Sequence, residues 1–279
     1  MHMNKHDVLC AKGVQEQINS ARPELYSLNQ TRQSMASVDY WRQLCPCLSI
    51  GDGDLAEAAP PFDFPAEECA RLKAQMQEEG YFTLRSDQVP WAVDVKEVAQ
   101  GMVALKEHGW HPNFIMLYDQ PWLLAHQLSE VMFQSTGNLH NFDWLAYHIE
   151  PPDGAGIPPH RDFTRNPPSS WHADGSPKVC TVWVSLGNSC PANSCLYILP
   201  APKDQGYHGN NPKETAHDVV HDAQAFQDVM AVPLEPGALI AFSHRLYHWG
   251  SSSTPLAVEP RVSIAFGVSD ASFKQPYLP

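Results

Sequence analysis

No stretch of this 279-residue chain approaches the roughly 18 consecutive apolar residues of a membrane-spanning helix, and its first residues, MHMNKHDVLCAKG, lack the apolar segment of a secretory signal. A cytoplasmic protein with no membrane partner is therefore expected. Basic residues are scarce: 18 Lys and Arg stand against 31 Asp and Glu, a formal net charge of −13. No run of Lys or Arg interrupts that field, which repels polyanions, so a nucleic-acid partner is not expected. Cysteine motifs are missing as well. The seven cysteines, at 10, 45, 47, 69, 180, 190 and 195, are odd in number and show no repeated C-x-x-C spacing, which points to reduced thiols rather than disulfides or a zinc site. Cys45-Pro46-Cys47 is too tight for a routine zinc knuckle. Neither an internal repeat nor a low-complexity tract is present.

What the chain does contain is punctuation. Its 25 prolines and 16 glycines run along the whole length, favouring many short elements joined by ordered loops. Residues 1–60 are polar and weakly patterned and are expected to form a partly helical N-terminal extension, leaving 61–279 as one domain. From residue 65 helical spacing appears: Cys69, Leu72 and Met76 share one face, followed by Gly80 as a stop and YFTL as a short strand. Helices are likewise expected over residues 93–107 and 122–134. After Asn141 the segments FDWLAYHIE, VCTVWVSL, SCLYILP, GALIAFS, YHWGS and RVSIAFGVS read as strands bounded by Pro, Gly and Asn. The expected architecture is mainly β with flanking helices, a sandwich or jelly roll.

Chemistry concentrates in GIPPHRDFTRNPPSSWHADG, where His160-Arg161-Asp162 and His172-Ala173-Asp174 repeat one pattern. An imidazole and a carboxylate two positions apart point the same way from an extended strand, so either pair can clamp a metal ion. Two imidazoles and one carboxylate on one face of an octahedral metal leave positions open for a bidentate cosubstrate and dioxygen, the arrangement of non-haem Fe(II) oxygenases. A third ligand must then come from FSHRLYHWGSS, as His244 or His248. Arg261, within the apolar EPRVSIAF, is costly to bury unless its guanidinium meets a carboxylate.

The order H-x-D, L-x-x-LP, G-x-L-I-x-F, H-x-G and R-x-S resembles the Fe(II)/2-oxoglutarate-dependent dioxygenases, in particular their phytanoyl-CoA dioxygenase-like branch, over residues 62–270. The resemblance implies a double-stranded β-helix of cupin-like form and an enzyme using Fe(II), 2-oxoglutarate and O2. In such enzymes the metal-binding H-x-D follows a glycine-containing turn and precedes an aromatic residue, as GAGIPPHRDF does with Phe163. His160 and Asp162 are the ligands on that basis. His248 matches the H-x-G position and precedes Arg261 by 13 residues, one hairpin, against 17 for His244. By the same resemblance Arg261 takes the distal carboxylate of 2-oxoglutarate, Ser263 on the same strand face donates a further hydrogen bond, and Tyr147 supplies a cosubstrate donor from the strand before the H-x-D. The presence of Asp162 favours hydroxylation, desaturation or cyclisation over halogenation.

The expected substrate is a small molecule, because a CoA thioester is polyanionic and the chain is acidic. A nucleic-acid or protein demethylase or hydroxylase on the same fold, a cupin-type metal protein without 2-oxoglutarate, and a non-catalytic regulatory relative, disfavoured because no ligand position is lost, are the alternatives. Other conspicuous residues take ordinary roles: His244 as a core or supporting histidine, Arg161 with a structural partner on the opposite face, His217 and His221 in a loop or surface helix, and Lys203 with Asp204 in a lid. Of Trp171, Trp183 and Trp249, at most one is expected to line a pocket.

Overall fold

The computed structural model describes residues 34–51, 57, 59–163, 166–209 and 223–272. Helix α1 (Val38–Leu44) starts where the Ser37 hydroxyl accepts the Tyr40 amide. Although α1 falls in the stretch assigned to an extension, its Trp41 and Leu44, with Cys45 and Leu48 after it, share one apolar cluster with the helices that follow. Helix α2 (Ala66–Glu79) buries Cys69, Leu72 and Met76 and ends on Gly80, whose φ of 79° suits the left-handed cap. The Asp94 carboxylate accepts the Lys96 amide at 2.8 Å to start α3 (Val95–Glu107), which buries Val95, Val98, Met102 and Leu105. Helix α4 (Asp119–Thr136) buries Leu124, Leu128 and Met132; it begins ahead of the expected residue 122 because Pro121 is accommodated in a first turn.

The strands are β1 (Tyr81–Leu84), β2 (Leu139–Ile149), β3 (Val179–Ser185), β4 (Leu196–Leu199), β5 (Met230–Val232), β6 (Leu239–Ser243), β7 (Tyr247–Gly250) and β8 (Arg261–Ser269). β5 carries no sequence signal, since three residues cannot establish an alternation. Five strands form an antiparallel sheet in the order β1-β6-β3-β8-β2, and three form a second sheet, β5-β4-β7. Cys180, Val182 and Val184 of β3, with Ile264 and Phe266 of β8 and Leu239 and Ala241 of β6, face the helices. Their neighbours Trp183, Ala265, Ile240 and Phe242 turn the other way and meet Leu196, Ile198 and Val232 of the smaller sheet. Both faces of the large sheet are covered, which is why its strands read as continuous apolar runs. The expected jelly roll with a helical flank is therefore present, and the same period of two aims Tyr147, Thr181, Arg261 and Ser263 inward.

β2 and β8 are in register from Leu145 opposite Ala265 to Tyr147 opposite Ser263 and Ile149 opposite Arg261. Pairing slips once: His140 faces Val268 and Trp144 faces Phe266, so Asn141, Phe142 and Asp143 oppose Gly267 alone. Phe142 takes a φ of 62° in this bulge. A Cβ at 267 would lie 2.8 Å from the Asp143 carbonyl oxygen and closer still to Asn141 Oδ1, so the bulge seats on β8 only over a glycine.

Candidate functional site

The segment carrying His160 reaches the small sheet as an added arm beside β7. His160 and His248 exchange backbone hydrogen bonds of 2.9 and 3.0 Å, and the Gly250 amide donates to the Ile157 carbonyl at 3.0 Å. Upstream, a Cβ at Gly156 would strike the carbonyl oxygens of Gly250 and Ser251. Glycine at 156 thus lets the arm run flat along β7 and sets His160 opposite His248.

The two rings lie 4.3 Å apart between centroids. His160 Nδ1 is 2.8 Å from the Pro158 carbonyl and His248 Nδ1 is 3.0 Å from the Leu246 carbonyl. Carbonyls only accept, so each Nδ1 carries the proton and each Nε2 presents a lone pair. Both Nε2 atoms stand 3.6 Å from Asp162 Oδ1, and the ligand atoms of the three residues all lie within 4.8 Å of one another. Burial opposes the Asp162 charge, but His248, His160 and the Thr181 hydroxyl outweigh it and hold the carboxyl below its usual range. Burial likewise disfavours protonation of both imidazoles; the adjacent Asp162 reverses this at His160, whereas at His248 burial wins. Among the described residues no other group of His, Cys, Asp and Glu offers three ligand atoms so close together. With His160 in the neutral form that metal ligation requires, two imidazoles and one ionised carboxylate make a donor set suited to Fe(II).

Beside this trio lies a cavity of about 300 Å³ lined by Tyr147, Phe163, Trp183, Phe242 and Arg261 among others. Arg261 is 2% exposed, and among the described residues no carboxylate pairs with it. Its guanidinium carbon lies 5.4 Å from the Trp183 ring centroid and 5.6 Å from that of Tyr147, and its Nε has no hydrogen-bond partner. Burial lowers its pKa to about 10, so the group stays charged at neutral pH. The Ser263 hydroxyl, also buried, is equally without a partner. Burial pushes the Tyr147 phenol up to about 12, keeping it a neutral donor. An unsatisfied fork and hydroxyl on the inner sheet face match a carboxylate ligand.

The remaining sequence candidates fall elsewhere. Asp174 pairs with Lys73 of α2 at 2.6 Å, far below its usual pKa because of that ammonium, and neither Asp174 nor His172 lines the cavity. His244 is fully buried, its Nδ1 3.1 Å from the Val179 carbonyl and its Nε2 3.2 Å from Ser170 Oγ; burial lowers its pKa to about 4. Arg161 points away from its neighbours and forms a buried ion pair with Asp204 while donating to the Arg245 carbonyl at 2.8 Å. Asp204 is thereby a buried anchor of the metal arm and not part of a lid, a correction that follows from the buried Arg161 charge needing a carboxylate. Of the three tryptophans, Trp183 alone lines the cavity. His217 and His221 lie outside the described residues.

Sequence reasoning missed Thr181, whose Oγ1 donates to Asp162 Oδ2 at 2.8 Å. That bond leaves Oδ1 turned toward the imidazoles and makes the carboxylate a one-oxygen donor. Thr181→Val keeps the shape and removes the bond, and is expected to weaken Fe(II) binding about tenfold. Metal titration of both proteins measures this, and equal affinities would show that the hydroxyl does not orient Asp162.

Comparison with known proteins places this geometry in context. The model of the phytanoyl-CoA dioxygenase (PhyH) family matches residues 59–254, ending before Arg261 and Ser263. No curated protein sequence matches. Among solved structures, the non-heme alpha ketoglutarate dependent epimerase SnoN from nogalamycin biosynthesis is 18% identical, with a TM-score of 0.57 over 74% of this chain and 82% of its own. The carbocyclase SnoK of the same biosynthesis is 17% identical, with a TM-score of 0.54 over 75% and 87%. EctD from S. alaskensis, solved with 2-oxoglutarate and 5-hydroxyectoine, is 16% identical, with a TM-score of 0.52 over 81% and 83%. These likenesses establish a shared fold.

Proposed function

The chain belongs to the phytanoyl-CoA dioxygenase family, and from that premise we propose that it oxidises a small organic metabolite at a C–H bond, by hydroxylation, desaturation or cyclisation, with release of succinate and CO2. The enzyme is an Fe(II)- and 2-oxoglutarate-dependent dioxygenase; O2 is its second cosubstrate. His160, Asp162 and His248 are assigned as the iron ligands, and Arg261, Ser263 and Tyr147 as the 2-oxoglutarate site. Residues 61–279 are assigned as the catalytic domain, acting in the cytoplasm.

Bound iron, with O2, supplies the oxidising power that couples decarboxylation of 2-oxoglutarate to attack on an unactivated C–H bond. The chain's own contribution is positional. The tautomers of His160 and His248 are set by backbone carbonyls, and Thr181 directs Asp162. Arg261 offers its fork to the distal carboxylate of the cosubstrate, where Ser263 adds a donor from the next inward position. Phe163, Trp183 and Phe242 keep the surrounding walls apolar and limit water beside the metal.

One observation carries the assignment: a fully buried arginine, unpaired among the described residues, beside a two-histidine, one-carboxylate trio. A cupin-type metal site without 2-oxoglutarate gives that charge nothing to bind. The family's name does not fix the substrate, because among the described residues Arg261 is the sole Lys or Arg lining the cavity and a CoA thioester brings several phosphates. A neutral or cationic metabolite fits better. No helix among the described residues is long and apolar enough to cross a membrane. The test is succinate formation: protein loaded with Fe(II) and given 2-oxoglutarate in air is expected to release succinate slowly without any substrate. Bound iron with no succinate would remove the proposed function.

A further inference from the structure

We propose that Asp143 is the substrate-recognition residue, anchoring the positively charged group of a small organic cation, an alkyl- or arylammonium or a guanidinium, against the wall of the cavity facing the metal ligands. This rests on the dioxygenase reading and specifies its substrate class.

Three observations meet at this side chain. First, Asp143 lines the cavity, and among the described residues its carboxylate has neither a hydrogen bond nor an ion pair. Asp143 is solvent-accessible and so stands at the cavity's open edge; partial desolvation there, together with the charge of Asp162, raises its pKa. Second, its placement is built. The bulge turns Asp143 inward in line with Leu145 and Tyr147, while the preceding His140 faces α4, where its Nε2 lies 2.6 Å from the Ala125 carbonyl. The Asp143 amide donates to the buried Asn141 Oδ1 at 3.0 Å, and Gly267 leaves the space in which this backbone sits.

Third, the charges of the loaded site cancel without it. Fe(II) brings two positive charges and Arg261 one, against one negative charge on Asp162 and two on 2-oxoglutarate, with both imidazoles neutral. Among the described residues, the only other charged residue lining the cavity is Asp143. An uncompensated carboxylate beside apolar walls such as Leu145, Ile157 and Phe242 repels an anionic substrate, gains little from a neutral one and favours a cation. The cavity, near the lower end of small-molecule pockets, suits a compact ligand.

Calorimetry on the intact protein, loaded with Fe(II) and 2-oxoglutarate under anaerobic conditions, tests this with two probes of matched shape, benzylammonium and benzyl alcohol. Benzylammonium is expected to bind about tenfold more tightly. Asp143→Asn should reduce that ratio to about one while Fe(II) and 2-oxoglutarate still bind, since the side chain has no hydrogen bond or ion pair with either set of donors among the described residues. Equal binding of the two probes, binding of neither, or a preference that survives in Asp143→Asn overturns the assignment of Asp143. Failure of the wild-type protein to take up iron or 2-oxoglutarate, read in the same titrations, would overturn the dioxygenase reading and this inference with it.

Discussion

Replacing His160, Asp162 or His248 with alanine is expected to abolish Fe(II)-dependent turnover, whereas His172→Ala and Asp174→Ala should leave iron binding nearly intact. The difference is geometric. The trio offers three donors within 4.8 Å, with both imidazole protons taken by carbonyls, so each deletion removes a preformed donor that no neighbour can replace. Loss of one ligand of three from a site that must keep positions open for cosubstrates should weaken iron by about a hundredfold or more, since even changes in supporting residues cost about 10–100-fold. Asp162→Ala should be the most severe, because it removes the single anionic ligand and leaves the Thr181 hydroxyl without its acceptor. His172 and Asp174 occupy the helix side of the large sheet, where Asp174 is held by Lys73. Iron titration followed by succinate assay separates these outcomes: metal binding lost in the His172 and Asp174 variants but retained in the others would transfer the metal site to the second H-x-D pair.

That choice between two identical patterns shows what a sequence discloses and what it withholds. Helical faces such as Leu72 with Met76 and strand segments such as VCTVWVSL follow from local spacing, and the structure has them where expected. His160, Asp162 and His248 were separable from their neighbours only through motif order, because the contact between the H-x-D arm and β7 joins residues 88 positions apart. Nothing local marks the β2 bulge: FDWLAYHIE reads as one uninterrupted strand, and the slip is defined only by the Gly267 it packs against. Thr181 reads as one more strand threonine until Asp162 is placed beside it. The partnership of Arg161 with Asp204 was equally silent, since a buried charge declares that it needs a partner but not which one. Local physics is legible in the chain, and what completes the site depends on pairings across the fold.

Arg261 is expected to affect stability and cosubstrate binding in opposite directions. Its guanidinium is fully buried without a carboxylate among the described residues, and its contacts with Tyr147 and Trp183 return only part of the desolvation cost. Arg261→Met retains most of the side-chain volume and removes the charge, so the protein without cosubstrate should become more stable, on the order of 1–3 kcal/mol by urea unfolding. Binding of 2-oxoglutarate should collapse in the same variant: deleting one partner of a buried, hydrogen-bonded charge pair costs about 2–5 kcal/mol, which is roughly thirtyfold or more in affinity. Arg261→Lys keeps the charge but loses the planar fork, so it should restore little of the binding. Added 2-oxoglutarate should then stabilise the wild type through linkage and leave Arg261→Met unmoved, reversing their order of stability. The visible band of an Fe(II)-chelated 2-oxo acid, titrated anaerobically, gives the affinities independently. A guanidinium serving only the fold would show the opposite pattern, with Arg261→Met less stable and the band forming at the wild-type concentration of 2-oxoglutarate. A gain in stability together with a loss of the band is the signature of a charge retained for its ligand at the expense of the empty protein.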